Sequence, residues 1–208
     1  IISKAGSAGN EWAMVIDSQL RPRFFLYFDN NTASTHRYRI FMSSTIGSVG
    51  AWNHIVFTWD ATIATNDTSA VVMYLNGVRG DASSGATVNA PSSTGLVVDE
   101  GSANINLTTQ NDGAGTGAQT RYKGFIDEVS IFNATLTDAA VAEAYNSGCP
   151  IDMRTSTFGS NLQGYWRMGE GDTGTTITNL SSASGAEDMT LVNGAAISST
   201  TYAGVGVC

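Results

Sequence analysis

The chain has 208 residues, long for one small domain and ordinary for one large all-β domain. Its hydrophobic fraction of 42% supports a sizeable core, while only 13% of residues are charged and Ser, Thr, Asn and Gly are abundant. Asp and Glu outnumber Lys and Arg by 18 to 10, a net charge of −8. This argues against nucleic acid as a partner and disfavours an electrostatic membrane patch. No apolar run approaches the ~20 residues needed to span a bilayer, which argues against membrane insertion. No signal peptide is visible, and a chain opening at Ile1 is expected to be truncated or processed.

In chain order, short β-runs are separated by clusters of Gly, Asn, Asp and Ser. Strands are predicted at Trp12–Ile16, Phe24–Phe28, Tyr38–Met42, His54–Trp59, Val71–Leu75, Ile105–Thr109, Gly124–Phe132 and Gly164–Met168. In His54–Trp59 the residues Ile55, Phe57 and Trp59 share one face while His54, Val56 and Thr58 share the other, the period of a half-buried antiparallel strand. Asn76-Gly77 is a turn signal, since both residues tolerate positive φ. Gly80–Gly95 reads as a long exposed loop, and Asp112–Gly117 as another.

One helix is predicted over about 137–147. Thr137 is its N-cap, Leu136 can staple against Val141, and Gly148 is placed to end it with Pro150 just beyond. Many strands with one helix predict an all-β, two-sheet antiparallel sandwich.

The run WNHIVFTWD (52–60), then VVMYLNG (71–77), then KGFIDEVSIF (123–132), leading through Leu136-Thr137 into the helix, resembles the concanavalin A-like lectin/glucanase superfamily. Within it, the order resembles laminin-G-like, pentraxin-like jelly-roll domains. The resemblance implies one sandwich over 1–208, with a main body at 1–150, a linker at 151–160 and a C-terminal segment at 161–208. That last segment, LQGYWRMGEGDTGTTITNLSS (162–182), resembles the opening of a family module although here it comes last. Three arrangements account for this order. The chain extends upstream and the segment opens a second module, or the segment closes its own sandwich in cis, or it closes that of a neighbouring copy in trans. An unpaired sheet edge must be covered, and cis is the preferred solution. The same segment, with Asn146–Pro150, resembles laminin-G-like domains of phage and marine-microbial surface proteins.

Glucanases share the fold, so hydrolysis needs a hearing. It requires two carboxylates flanking the scissile bond. Asp127-Glu128 are adjacent and, on a strand, point to opposite faces. Asp99-Glu100 lie in a loop, and Glu170 and Asp172 in a Gly-rich turn. His36 and His54 have no neighbouring nucleophile motif, and two histidines with two distant cysteines make no zinc site. The chain therefore reads as a non-enzyme.

The pentraxin resemblance carries calcium-ligand roles onto Gln110, Asn111 and Asp112, and onto Asn10, whose neighbour Gly9 lacks the expected carboxylate. A site with one carboxylate binds calcium weakly or not at all. The same QND run also reads as a plain turn. Tyr38, between Arg37 and Arg39, is the exposed aromatic candidate for ligand contact, whereas Trp12, Trp52, Trp59 and Trp166 read as packing residues. Cys149 and Cys208 either form a bridge contributing about 4 kcal/mol or stay as free thiols.

Two roles are expected of such a chain in an extracellular, cell-surface or virion setting. One is a recognition module binding glycans or surface proteins, including a calcium-dependent lectin-like form. The other is a structural module whose partners are copies of itself.

Overall fold

The structure, a computed structural model, describes residues 1–5, 10–27, 37–42, 45–46, 50–63, 67–81, 87–89, 104–107 and 122–198. At positions 5, 10, 37–39, 41 and 87–89 it describes the backbone only. The chain divides into two compact units, Ile1–Lys123 and Gly124–Cys208. This is a different division from a cut at 150 and 160.

The first unit contains β1 (Ile2–Ala5), β2 (Asn10–Ile16), β3 (Pro22–Tyr27), β4 (Arg37–Phe41), β5 (Ile55–Trp59), β6 (Val71–Leu75), β7 (Val78–Gly80), β8 (Thr87–Asn89) and β9 (Ile105–Leu107). Six of them form one sheet in the order β8-β4-β3-β2-β1-β9, and three form another in the order β5-β6-β7. Every pairing is antiparallel.

Register decides what the first sheet presents. Met14, Phe24 and Ile40 lie opposite one another across β2, β3 and β4, so one apolar row crosses the sheet. Phe24, Leu26, Ile40 and Met42 pack in one buried cluster with Val71, Met73 and Leu75 from β6 and the preceding Ala70. Trp12, Met14, Ile55, Phe57 and Trp59 close around it. The period-two reading of β5 is thus correct. The Phe24 and Phe57 rings stack with centroids 3.4 Å apart, tying the two sheets face to face. A Cβ added at Gly80 would fall on the Met42 sulfur, which is why the short β7 ends on glycine.

Polar side chains fix the turns. Between β2 and β3, Asp17 accepts the amides of Gln19 (2.8 Å) and Arg21 (2.9 Å) and the Nε of Arg21 (2.9 Å) and Arg23 (2.7 Å). Burial alone would raise the Asp17 pKa, but these donors outweigh it and hold the carboxyl at about 2. Between β6 and β7, Asn76 and Gly77 make the predicted two-residue turn, with φ of 52° and 76°. Asn76 also accepts the His54 amide on Oδ1 (2.8 Å), donates Nδ2 to Asn53 Oδ1 (3.1 Å) and donates its own amide to His54 O (2.8 Å).

The second unit contains β10 (Val129–Phe132), α1 (Asp138–Tyr145), β11 (Leu162–Trp166), β12 (Thr176–Ile177) and β13 (Met189–Thr190). β10 pairs with β11 and β12 with β13, both antiparallel. The 151–160 stretch contains a one-turn 3-10 helix at Met153–Thr155, and another begins at Gly159. Thr137 caps α1 by accepting the Ala140 amide (3.2 Å), as predicted, and Leu136 and Val141 are both buried.

Several boundaries differ from expectation, among them β11, which runs Leu162–Trp166 where Gly164–Met168 was expected, with Met168 at φ 52° beyond its end. Thr87–Asn89, inside the stretch read as a loop, is an edge strand paired to β4; its three residues are too few to show a period. The strand predicted from Gly124 begins only at Val129, because Glu128 sits at φ 52° and interrupts the extended backbone. The helix stops at Tyr145, because Asn146 takes the left-handed conformation (φ 41°) and ends it before Gly148.

Asn76→Ala removes two side-chain hydrogen bonds and leaves a Cβ residue at positive φ. The expected loss is about 1–3 kcal/mol in urea unfolding. Asn76→Gly relieves the backbone and should fall between Ala and the parent; a Gly variant as unstable as Ala would mean that the turn conformation contributes nothing.

Candidate functional site

Of the residues singled out for ligands, Asn10 and Tyr38 are described by their backbone alone. Asn10 has its backbone at the start of β2, opposite Ala5 where the register shifts. Gln110, Asn111 and Asp112 lie outside the described residues, as do Asp99-Glu100 and His36. Tyr38 has its backbone in β4 opposite Leu26, with no side chain described. Cys149 is disulfide-bonded, and the chain's other cysteine, Cys208, lies outside the described residues. Burial lowers the pKa of His54. Among the described residues, no group of three or more His, Cys, Asp or Glu side chains could hold a metal ion.

What the structure does bring together is a cluster of acids in the second unit. The expectation that Asp127 and Glu128 point to opposite faces of a strand is corrected, since neither lies in β10. Left-handed Glu128 turns its carboxylate to the end of β11. Tyr165 donates its hydroxyl to Oε2 and Arg167 donates Nε to Oε1 (2.9 Å). Arg167 reaches on to Glu170 Oε2 (2.7 Å). Tyr165 is fully buried. That burial, with the Glu128 carboxylate beside it, pushes its phenol pKa up. Asp127, next in line, is raised to about 6 by partial desolvation and by the charges of Glu128 and Glu170. Arg167, Glu170, Gly171, Asp172, Thr178 and Leu180 line an open cleft of about 250 Å³ beside this network.

Chemically, the cluster is a clasp. Both Glu128 oxygens accept from donors on β11 and its extension. The cleft is smaller than the ~300–1,000 Å³ of ordinary ligand sites.

Sequence reasoning missed two supports of this region. Asn179 accepts the amides of Tyr165 (3.1 Å) and Ser181 (3.0 Å) and donates Nδ2 to Glu187 O (3.2 Å), which binds a loop to β11. Trp166 donates Nε1 to Glu187 O (3.2 Å) and lays its ring over Gly164, where an added Cβ would overlap it. The signal was present in LQGYW: a Gly two residues before a Trp shares its face of the strand.

A family model for a laminin G family, described as the concanavalin A-like lectin/glucanases superfamily, matches residues 1–142. The match covers well over half of the chain, so the chain belongs to this family. It runs through the whole first unit and ends inside α1. No curated protein and no solved structure matches the chain.

Two outcomes follow from the clasp. Gly164→Ala should destabilise the chain by about 1–3 kcal/mol and shift Trp fluorescence through overpacking against Trp166, whereas an exposed Ser182→Ala control should do neither. Asp127 binds its proton more tightly in the folded chain, at about 6 against 3.8. Its contribution to stability therefore declines as pH rises from 3.8 to about 6 and is level above. Asp17, lowered from 3.8 to about 2, works in a separate window; its contribution is complete above 3.8 and lost as pH falls toward 2. Melting curves from pH 3 to 8 should show Asp127→Asn removing the upper slope alone. A slope unchanged in that variant would show that Asp127 titrates normally.

Proposed function

We propose that this chain is a non-catalytic recognition module of an extracellular, cell-surface or virion protein, engaging glycans or partner proteins through its loops. The observation that carries the reading is membership of the family over residues 1–142. Laminin G-like domains are typically extracellular, non-catalytic binding modules, although their superfamily includes glycosidases. No described helix is long and apolar enough to cross a membrane.

The sheets support loops as the recognition surface. β6 is buried along its length, so its side chains are committed to packing. The edges of the six-stranded sheet, β8 and β9, are three residues each. Such short edges offer few backbone groups to an added strand and resist edge-to-edge growth. Over the described residues, self-assembly by strands added to the large sheet is therefore less favoured than binding through loops, while the five-residue β5 edges the smaller sheet. The clasp argues in the same direction for Glu128, whose carboxylate is committed to Tyr165 and Arg167.

Calcium dependence is the finer form of the proposal, with Asn10, Gln110, Asn111 and Asp112 as the ligands. One carboxylate among four ligands predicts weak affinity.

The test is a glycan array probed with and without chelator, run with light scattering and a reducing-sugar assay on polysaccharides. Saturable binding to a restricted set of glycans, by a monomer that releases no sugar, is the expected result. Loss of binding in chelator, reproduced by Asp112→Asn, assigns calcium. Turnover of a polysaccharide overturns the non-catalytic reading. Concentration-dependent assembly without glycan or protein binding favours the structural role.

A further inference from the structure

Asn-x-Ser/Thr triplets, with x not proline, are acceptors for N-linked glycan in chains that pass through a secretory pathway. The chain carries five, beginning at Asn30, Asn66, Asn106, Asn133 and Asn179. The motif alone does not separate them, because a glycan is bulky and is tolerated only where the folded chain leaves it room. The fold separates the three whose acceptor asparagines are described.

Asn179, in Asn179-Leu180-Ser181, is unusable without damage. Its carboxamide holds the amides of Tyr165 and Ser181 and donates to Glu187 O, so a sugar replacing one Nδ2 hydrogen would set its bulk against Glu187 and push the loop off β11. Asn106, in Asn106-Leu107-Thr108, sits within β9 opposite Ser3, is half-buried and donates Nδ2 to Asn104 O (3.0 Å). Asn133, in Asn133-Ala134-Thr135, differs on each count. It follows β10 directly, on a bend, and all three residues of the triplet are exposed. Its backbone amide donates to Asn161 O (3.0 Å), which fixes the bend, and no hydrogen bond among the described residues engages its carboxamide. Leu136 and Thr137, just beyond, anchor the segment into α1.

We infer that Asn133 is an N-glycan acceptor site and that Asn179 is not, despite the same motif. In the reaction, the Asn133 carboxamide nitrogen bonds to the anomeric carbon of an oligosaccharide carried on a lipid pyrophosphate. The bond from that carbon to the pyrophosphate oxygen breaks, the pyrophosphate leaves with the electron pair, and the amide proton passes to a base of the transferase. The inference rests on the extracellular reading of the protein but not on any ligand it binds.

The test is expression of the whole chain behind a cleavable leader in a eukaryotic secretory host. Secreted and cell-associated protein are both digested and mapped by mass spectrometry, with and without a glycan-releasing amidase. The Asn133 peptide should carry glycan in most chains, lose it in Asn133→Gln, and be converted to Asp by the amidase; the Asn179 peptide should be unmodified in secreted protein. Asn133→Gln should keep the melting temperature of the deglycosylated parent, while Asn179→Gln lowers it. An unmodified Asn133 peptide in both fractions overturns the inference, and so does secreted, folded protein glycosylated at Asn179. Neither result bears on glycan-array binding, so this proposal and the recognition role fail separately.

Discussion

The first unit depends on one interaction: the apolar rows of two antiparallel sheets pressed face to face. Phe24 against Phe57 is its centre, with Ile40, Met42, Met73 and Leu75 filling the layer around it. Burying an aromatic or large aliphatic side chain contributes about 1.5–3 kcal/mol. No single polar contact in this unit approaches the sum over such a row. The turn devices serve that layer by fixing register. A slip of one residue in β3 would turn Phe24 and Leu26 outward and bring Arg23 and Phe25 in. Asp17 guards against it at one hairpin by binding Arg21 and Arg23 on the strand it feeds. Asn76 guards β5 against β6 in the same way, through a strand end that is 22 residues away in sequence.

The second unit uses a different currency of order. β12 and β13 are two residues each and β10 is four, so ladder hydrogen bonds contribute little cooperativity. Side-chain-to-backbone bonds take their place. Asn179 binds β11, Asp172 accepts the Thr178 amide (2.9 Å), Asp188 accepts the Asn179 amide (2.8 Å), and Glu128 joins β10 to β11 through Tyr165 and Arg167. These bonds matter because a buried phenol left without an acceptor costs its full desolvation. They also explain why Glu128 tolerates a left-handed backbone. The strain of that conformation is small beside two charge-assisted bonds, one of them to a guanidinium.

How much of this was legible follows from distance along the chain. The face assignment of β5, the Asn-Gly turn and the Thr137 cap are local, and each is written within a few residues. The family order of segments is legible because it strings such local signals together. Edge strand β8 was not, since three residues in a Ser- and Gly-rich stretch show no alternation and pair only because β4 offers an open edge. The clasp was not, since its partners are 37 and 39 residues apart. Glutamate is also not a residue expected at positive φ, so Asp127-Glu128 looks like part of a strand. Gly164 under Trp166 was visible as a spacing but had no meaning until the ring orientation was known. Asn10 is singled out by the pentraxin resemblance and Tyr38 by its place between Arg37 and Arg39, and neither signal fixes where a side chain points.

Such commitments narrow where recognition can reside. Strand side chains of β6 are buried, the outer strands of the large sheet are short, and the acids of the second unit are bound to their own neighbours. What remains is connecting chain rich in hydroxyls and amides with few charges. Groups of that kind exchange hydrogen bonds with water at little net gain, so each contact with a polyhydroxylated or peptide ligand adds only about 0.5–1.5 kcal/mol. Useful affinity then requires several loops acting together or several modules acting in parallel, where a second binding event becomes intramolecular. On the proposed recognition role, a two-layer body that fixes loop ends suits binding shared among several loops or several modules.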